Sequence, residues 1–486
     1  MKLAYDPAGG PAFWDSISRL PGYPVGEHMP IGQMLFESNA LRRLPDVLRH
    51  AGAALNAPVL VVMDHTPMRR AGQDLKALVL ATLQSARLAA EPVLLEPDAT
   101  GQVHTDMPHI EAVQRRLRPG AVLLSVGSGT VTDIAKHAAY LFEQAGGPRL
   151  PFVVLQTANS VSAYTSNMAP TFVDGVKRTL PSRYPDALVC DLETLRDAPR
   201  EMTVAGVGDL LAAFVSFPDW RLANRLGLDD SYTRFPQTLM GPLDDIFLAE
   251  AEGIRAGTLE GMAVLAKLIA LGGLAMSLAH ATTPMSGYEH VMSHILDLLA
   301  EQAGQPLAQH GAQVALASVL AAETYRRFLD EFEPNEITPA QCYPSPAAMR
   351  ARIDSAFAAV DPSGRAGAEC WADYQIKLAA WHAHQAEFEA VLRDWPAVRA
   401  ELAQDARPPE RLAQILRAIN GPLTFAELVP PASEPQVKFA FLNAPLMRKR
   451  LTLGDVLLFV NWDREALWQQ VWAKMLAMGE RAAVES

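Results

Sequence analysis

Cysteine is scarce in this sequence. Its 486 residues include three cysteines, Cys190, Cys342 and Cys370, which are far apart and show no CxxC spacing. Such a set favours neither a disulfide framework nor a zinc or redox motif, so we expect free thiols in a reducing compartment. The first residues also lack the basic start and apolar run of a secretory signal. We therefore expect a cytoplasmic protein.

An excess of positive charge is missing as well. The formal net charge is -12 and no basic cluster stands out, so nucleic acid is not expected as a partner. Long uninterrupted apolar runs are also rare. The most membrane-like stretch, Met262–Ala281, is interrupted by Lys267 and by Gly272 and Gly273, which predicts a buried helix and no membrane partner.

The first part of the chain alternates short apolar runs with segments of helical periodicity. The runs resemble buried parallel strands and comprise Val59–Met63, Val93–Leu95, Ala121–Val126, Phe152–Leu155 and Ala187–Val189. Helical periodicity extends over Leu75–Ala90, His109–Leu117, Ile246–Leu271, Gly311–Phe332 and Gly367–Leu392. Strand-like runs nearly vanish after about Asp197. The pattern predicts an α/β nucleotide-binding domain with a doubly wound, mostly parallel sheet at residues 1–196, and an all-α domain at residues 197–486.

A glycine turn joins one predicted strand to a helix. Ala121–Val126 leads directly into Gly127-Ser128-Gly129-Thr130, and a helical segment follows from Ile134. Glycines let a pyrophosphate approach the backbone, where hydroxyls and the N–H groups of the helix start can bind it. The turn lacks both the Walker sequence and the GxGxxG fingerprint, and such turns also serve as plain tight connections. Both interpretations stay open on these residues alone.

Histidine and aspartate form a pattern that can bind a metal ion. His290 and His294 are four residues apart and would share a helix face, His310 follows, and Asp209 lies just inside a predicted helix start. One Asp and two His with an open position suit a catalytic divalent ion. Isolated histidines and an Asp at a helix start are more often surface groups or caps, so spacing alone does not decide.

Taken together, these motifs resemble those of the sn-glycerol-1-phosphate dehydrogenases, within the iron-containing alcohol dehydrogenase and dehydroquinate synthase-like superfamily. Six motifs occur in the family's order: Gly127–Asp133, Thr157–Ser166, Val173–Thr179, Gly206–Leu210, Ser286–His290 and His310-Gly311. The resemblance implies reversible hydride transfer between a nicotinamide cofactor and a small-molecule alcohol–carbonyl pair, aided by one divalent ion, zinc, iron or nickel. It leaves a homo-oligomer open.

The resemblance also implies roles for individual residues. Asp209, His290 and His310 would be the metal ligands, and His294, or water linked to a cofactor ribose, would exchange the proton. The implied cofactor residues are Gly127, Ser128, Gly129, Thr130 and Asp133 at the pyrophosphate, and Thr157, Ser160 and Ser166 near the nicotinamide. Asp64, at a strand end, is placed to accept hydrogen bonds from the adenosine ribose, which favours NAD(H) over NADP(H). A plain turn residue is the alternative interpretation of Asp64.

Ser162 departs from the family pattern. The family usually has Asp at this position, in a motif close to SMDGYTS, whereas this chain reads SVSAYTS over Ser160–Ser166. In the family, that Asp lies at the substrate hydroxyls. By the resemblance, Ser162 would be the catalytic and substrate-binding residue at this position. A serine there predicts weaker binding of polyols and an altered substrate. Lys177 and Arg178 are candidate contacts for a substrate phosphate or other anion, or else a solvated basic pair.

Two other functions fit part of the pattern. A dehydroquinate synthase-like lyase or cyclase would use bound NAD as oxidant and reductant within one turnover, but such enzymes usually have Glu where this chain has Asp209. A non-catalytic binding protein on the same fold is suggested by Ser162, although the joint presence of Asp209, His290 and His310 argues against it.

Overall fold

The computed structural model describes residues 3–54, 57–173 and 176–485. Within these residues the chain forms ten β-strands and twenty-one α-helices. The strands are β1 Gln33–Glu37, β2 Pro58–Asp64, β3 Arg69–Arg70, β4 Gln73–Asp74, β5 Ala89–Leu95, β6 Val122–Gly127, β7 Phe152–Gln156, β8 Met168–Val173, β9 Val176–Pro181 and β10 Ala187–Asp191. The helices are α1 Pro11–Ile17, α2 Leu44–His50, α3 Leu75–Ser85, α4 Met107–Gln114, α5 Gly129–Gln144, α6 Leu192–Asp197, α7 Arg200–Leu211, α8 Ala213–Arg225, α9 Phe235–Met240, α10 Leu243–Ala256, α11 Leu259–Leu278, α12 Tyr288–Gln302, α13 His310–Glu331, α14 Pro346–Ala358, α15 Arg365–Ala383, α16 Gln385–Arg393, α17 Trp395–Asp405, α18 Pro409–Ala418, α19 Glu434–Asn443, α20 Leu453–Phe459 and α21 Arg464–Glu485.

Six strands form one parallel sheet, in the order β1-β10-β7-β6-β2-β5. Every residue of β6, β7 and β10 is buried, which is typical of parallel strands covered on both faces. All five apolar runs read from the sequence lie in this sheet, so the predicted parallel α/β fold followed by a helical region is confirmed.

The sequence does not predict β1 at one edge of the sheet. Its residues alternate between partly and fully buried, and it begins and ends with the polar Gln33 and Glu37. Among the described residues, strand β1 pairs only with β10, and its alternating burial leaves it no continuous run of buried apolar residues. The two small sheets, β3 with β4 and β8 with β9, are also absent from the prediction.

Three predicted helices are shorter than their periodicity suggests, and one of them, Gly367–Leu392, is divided at His384 into α15 and α16. The segment read as helical to Ala90 stops at Ser85, because Arg87 takes a left-handed backbone conformation with φ of 59°. The chain then enters β5 at Ala89. The long segment from Ile246 is interrupted in the same way at Gly257, whose φ is 67°, and becomes α10 and α11.

The chain divides into two compact units. The first comprises Met1–Val173, Lys177–Leu210 and Arg234–Leu278 and contains the parallel sheet. The second comprises mainly Leu211–Thr233 and Ala279–Ser486 and is helical. The nucleotide-binding role of residues 1–196 and the metal- and substrate-binding role of residues 197–486 stay predictions.

Two helical stretches of the described residues are long and apolar enough to cross a membrane by length and composition alone, Arg200–Arg225 and Leu259–Leu278. Of their apolar windows, 89% and 78% are buried inside the protein. Core helices of soluble proteins meet the same criterion, so these stretches are weak support for a membrane span. The burial of α11 agrees with the buried helix predicted there.

Aromatic side chains fill much of the core of the second unit. Trp381 stacks on Phe459 with 4.6 Å between ring centroids, and Trp468 stacks on Trp472 at 5.0 Å. Rings in offset or tilted contact add to the hydrophobic gain from their burial. This core fixes the helices that carry the histidines.

Candidate active site

The predicted phosphate turn lies at the carboxyl edge of the sheet. β6 ends at Gly127, and α5 begins at Gly129 with Ser128 as its N-cap. Parallel strands end at the same edge, so the residues after β2, β6 and β7 share it. Within residues 121–139, only Ser128 and Thr130 are not fully buried. These two residues are therefore the accessible part of the turn.

Both glycines of the turn are required by packing. A Cβ on Gly127 would stand 2.4 Å from Cβ of Val131, and one on Gly129 would stand 2.4 Å from Cγ2 of Val161. Either would force neighbouring atoms apart. The first N–H groups of a helix also lack helical partners, and this feature binds phosphate at such turns. The geometry therefore fits both interpretations of the turn.

Asp133 lies inside the fold. Its side chain is 7% exposed, and its Oδ1 lies 2.7 Å from Nζ of Lys136, which is itself fully buried. Lys136 also donates to the carbonyl of Ala163 over 2.9 Å. Burial raises the pKa of Asp133, and the positive charges of Lys136 and Lys177 oppose the rise. The carboxylate has an internal ion pair, and its contact with a pyrophosphate stays a prediction.

The polar segment after β7 packs closely against two helices of the first unit. A Cβ on Gly206 of α7 would stand 2.1 Å from the carbonyl oxygen of Asn159. One on Gly273 of α11 would stand 2.3 Å from Oγ1 of Thr165. Because glycine has no side chain, α7 and α11 can pack directly against this segment at these two positions.

The three predicted nicotinamide-side residues are all buried within the same segment. Thr157 is 6% exposed, Ser160 4% and Ser166 3%. The hydroxyls of Ser160 and Tyr164 lie 3.1 Å apart, and Ser166 Oγ accepts from the N–H of Met168 over 3.1 Å. These contacts hold the loop in shape, and the proposed cofactor contacts would add to them.

Ser162 holds the carboxylate of Asp209. Both the N–H and the Oγ–H of Ser162 donate to Oδ2 of Asp209, each over 3.0 Å. The two side chains are buried, 4% and 7% exposed. Asp209 lies in the last turn of α7, whereas the sequence places it at a helix start, and that expectation is wrong. The hydroxyl at position 162 therefore orients a candidate metal ligand.

Asp64 stands at the end of β2 in a local network. Its Oδ1 accepts from the N–H of Thr66 over 3.1 Å, and its Oδ2 accepts from the Thr66 hydroxyl over 2.9 Å. Lys76 Nζ lies 3.2 Å from Oδ1, and both charged side chains are mostly buried. These contacts are those of a turn residue, and they leave its predicted ribose contact untested.

Three histidines come together in the second unit. The ring centroids of His290 and His310 are 5.2 Å apart, and the ring of His294 lies 6.3 Å and 6.0 Å from theirs. His290 and His294 share one face of α12, as their spacing predicts, and His310 is the first residue of α13. The part of this motif from Tyr288 to His294 is therefore helical, and it includes both histidines.

Each of the three rings has a hydrogen-bond partner at Nδ1. Glu289 Oε1 accepts from His290 Nδ1 over 2.8 Å, and the fully buried Glu289 carboxylate also accepts from the N–H of Gly287 over 2.7 Å. Ser293 Oγ lies 3.1 Å from His310 Nδ1. All three contacts lie within the second unit.

His294 has a different partner at Nδ1. The guanidinium of Arg448 lies 3.2 Å from this nitrogen through its Nη2. Arg448 is 9% exposed and His294 is 8% exposed. The ring is thereby held beside a positive charge, in contrast to the ring of His290.

One group of side chains in the described residues can hold a metal ion. Asp209, His290 and His310 each offer one ligand atom, and these three atoms lie within 4.8 Å of one another. A carboxylate and two imidazoles fit zinc, iron or nickel, and the remaining positions can take a substrate oxygen. His294 is not part of this group.

Lys177 and Arg178 begin the part of β9 that belongs to the first unit. Lys177 Nζ lies 5.7 Å from the ring centroid of Phe172, and its charge lowers the pKa of Asp133 against the effect of burial. Both basic residues are partly buried, so they are more than a fully solvated pair. Asp174 and Gly175, in the middle of this motif, lie outside the described residues.

Sequence reasoning missed three residues that contact the histidines, namely Glu289, Ser293 and Arg448. Glu289 directly precedes His290, so its position was visible but its contact with the neighbouring ring was not. Arg448 is 154 residues from His294 in the chain, and no local pattern indicates the pair.

The sequence matches the profile of the iron-containing alcohol dehydrogenases over residues 35–199. A glycerol-1-phosphate dehydrogenase (NAD(P)+) of Bacillus subtilis is 28% identical over 82% of this chain and 84% of its own. The enzyme of the same name from Pyrococcus furiosus is 30% identical over 55% of this chain and 72% of its own. A third, from Bacillus velezensis, is 31% identical over 58% of this chain and 69% of its own.

Solved structures share the fold at lower identity. A probable glycerol dehydrogenase from Sinorhizobium meliloti superposes with a TM-score of 0.53, at 16% identity, over 93% of this chain and 97% of the other. An iron-containing alcohol dehydrogenase from Thermococcus thioreducens gives 0.54, at 12% identity, over 91% and 97%. At such identities the match establishes the architecture alone.

Proposed function

Since the chain belongs to the iron-containing alcohol dehydrogenase family, in the branch of the glycerol-1-phosphate dehydrogenases, we propose that it is a metal-dependent reductase of a carbonyl substrate other than dihydroxyacetone phosphate. Family membership makes it an NAD(P)-linked oxidoreductase that interconverts an alcohol and a carbonyl. The observation that carries the proposed change of substrate is the pair of hydrogen bonds from Ser162 to Asp209.

In the proposed site, Asp209, His290 and His310 would hold the divalent ion. The bound ion supplies Lewis acidity at the substrate oxygen, and the nicotinamide supplies or accepts the hydride. Ser162 keeps the Asp209 carboxylate in place by donating from its N–H and its hydroxyl. His294 is proposed to exchange the proton of the substrate hydroxyl with solvent, with its ring fixed by Arg448 at Nδ1.

The cofactor is proposed to bind along the carboxyl edge of the sheet. Ser128 and Thr130 would bind the pyrophosphate, because they are the accessible hydroxyls of the turn. NAD(H) is proposed over NADP(H), because the carboxylate of Asp64 would repel a 2′-phosphate. A cytoplasmic location is likewise a proposal, and it rests on three free cysteines that are all buried.

The proposed loss of polyol preference follows from the hydrogen bond that the Ser162 hydroxyl already makes. Its one proton is directed at Asp209, and the side chain is 4% exposed. An Asp there would offer two acceptor oxygens to substrate hydroxyls, and a serine does not. A less hydroxylated carbonyl compound is therefore favoured, with Lys177 and Arg178 as candidate contacts for an anionic group.

The test is steady-state reduction of dihydroxyacetone phosphate with NADH by the wild type, Ser162→Asp and Ser162→Ala. We expect poor turnover by the wild type and a gain of about ten- to hundredfold in kcat/KM for Ser162→Asp, since a charged hydrogen bond contributes about 1.5–3 kcal/mol. Ser162→Ala is the matched control and should show no gain. Efficient wild-type turnover that the Asp does not improve would restore glycerol 1-phosphate as the substrate.

A further inference from the structure

The histidines of the candidate metal site differ in the partner of Nδ1, and this difference fixes which ring nitrogen carries the proton. A neutral imidazole has one N–H donor and one lone-pair nitrogen. A neighbour that only accepts therefore selects an Nδ1–H ring, and a neighbour that only donates selects an Nε2–H ring.

His290 faces an acceptor. Oε1 of Glu289 lies 2.8 Å from its Nδ1 and also accepts from the N–H of Gly287. A carboxylate oxygen that already receives one N–H can receive another, so Nδ1 of His290 is the donor. The lone pair of this ring is then on Nε2.

His310 has the same arrangement through a hydroxyl. Ser293 Oγ donates its single proton to Oε1 of Gln313 over 2.7 Å. The hydroxyl oxygen can then only accept from His310 Nδ1, which lies 3.1 Å away. His310 therefore also carries its lone pair on Nε2.

His294 has the opposite arrangement. A guanidinium has N–H groups and no acceptor, so Arg448 Nη2 donates to His294 Nδ1 over 3.2 Å. The lone pair at Nδ1 is used in that bond, and the proton of the neutral ring is on Nε2. This ring presents a donor where its two neighbours present lone pairs.

We infer that Glu289 and Ser293 are positioning residues that prepare the Nε2 atoms of His290 and His310 to bind a divalent cation. By the same geometry, Arg448 keeps His294 out of the ligand set and leaves it an Nε2–H donor. This inference rests on the proposed metal site and adds to it the residues that orient the ligands. Such partners of ligating histidines typically contribute about ten- to hundredfold in metal affinity.

The tautomers can be measured directly on the full chain. Long-range ¹H–¹⁵N spectra of protein labelled at histidine nitrogens distinguish Nδ1–H from Nε2–H rings, and His→Gln variants assign the signals. We expect Nδ1–H at His290 and His310 and Nε2–H at His294, in protein without added metal. The same tautomer at all three histidines, or Nε2–H at His290, would overturn the inference.

Metal affinity tests the positioning role. Zn²⁺ binding, measured by competition with a chelating dye, should weaken about ten- to hundredfold in Glu289→Met. Glu289→Gln keeps an acceptor oxygen and should restore most of that loss. Glu323→Met is the matched control, because Glu323 is equally buried but pairs with Arg326 and Arg327.

Wild-type Zn²⁺ affinity in Glu289→Met would contradict the positioning role. If the wild type binds no Zn²⁺ while the spectra show the expected tautomers, the proposed metal-dependent function fails and the tautomer assignment stands. If Glu289→Met does not fold, the spectra of the wild type decide.

Discussion

The carboxylate of Asp64 could serve as a turn residue or as a contact for the adenosine ribose, and its neighbours bear differently on these two roles. Its oxygens accept from Thr66, and Lys76 neutralises part of its charge from 3.2 Å. As a turn residue it needs only these partners. As a ribose contact it would also have to exclude a 2′-phosphate, and the nearby ammonium weakens that exclusion. In the proposed cofactor site, the preference between NADH and NADPH would therefore depend on the balance of this carboxylate against this lysine.

Replacing Asp64 tests this balance. Asp64→Ala removes the carboxylate that opposes the charge of Lys76, while the Lys76 ammonium keeps its bond to the carbonyl of Thr66. We therefore expect the ratio of NADPH to NADH affinity to rise by about fivefold, the effect of roughly 1 kcal/mol. Fluorescence titration of both cofactors measures the ratio. Lys76→Met is the control and should lower NADPH affinity. An unchanged ratio in Asp64→Ala would leave Asp64 only its role in the turn.

The ligand candidates could be predicted from residue types and motif order, whereas the residues that orient them could not. Asp209, His290 and His310 stand in recognisable motifs, and their atoms do come together. Arg448 reaches His294 from a distant part of the chain. Glu289 is adjacent in sequence, but only the ring orientation shows that it contacts His290.

Two helix starts in the second unit depend on one buried acid, Asp219. Asp219 of α8 accepts from the first N–H of α12, at Tyr288, and from the first N–H of α20, at Leu453, each over 2.8 Å. The Tyr325 hydroxyl of α13 also donates to it. The first N–H groups of a helix have no partner within the helix. Asp219 accepts from two such groups and from one tyrosine hydroxyl, so its carboxyl group connects α12, α13 and α20.

The pH dependence of stability should report this group. Burial, followed by the charge of Glu289, raises the pKa of Asp219 to about 8, from about 3.9 in an unfolded chain. A raised folded pKa gives a stabilising contribution that is complete below pH of about 4 and is lost as pH rises to about 8. The wild type should therefore lose stability over this range through Asp219.

Thermal unfolding of the apoprotein at pH 5 and pH 8.5 measures the effect. Asp219→Asn places an amide N–H against a backbone donor and should lower Tm at pH 5, since an unsatisfied buried group costs about 1–3 kcal/mol. The difference in Tm between Asp219→Asn and the wild type should be smaller at pH 8.5, because Asp219 of the wild type has lost its proton there. The exposed Asp15→Asn is the control. A deficit that does not change with pH would contradict the raised pKa.

The helices and strands that the sequence predicted share one property, a strong periodic or continuous apolar signal. The central strands are buried on both faces and each contains a run of at least three apolar residues, so they could be recognised. Edge strand β1 and the two-stranded sheets β3–β4 and β8–β9 lack that signal. Breaks such as Gly257 and His384 sit inside periodic segments, where local backbone geometry overrides the pattern.

A bound ion would join residues that are far apart along the chain. Asp209, His290 and His310 lie on α7, α12 and α13. A ligand that binds only the folded protein stabilises it by mass action, by about 2.7 kcal/mol at a free concentration about 100 times its Kd. Metal addition should therefore raise the thermal midpoint of the entire protein and not only its activity.

His294 provides the matched control for this effect, because it stands beside the ligand candidates but outside their group. Zn²⁺ should raise Tm in the wild type and in His294→Ala, while His290→Ala and His310→Ala should lose most of the rise and bind little metal by mass spectrometry. Each removed ligand leaves too few donors to hold the ion against water. Full metal occupancy in both ligand variants would show that the ion, and with it the proposed site of hydride transfer, lies elsewhere.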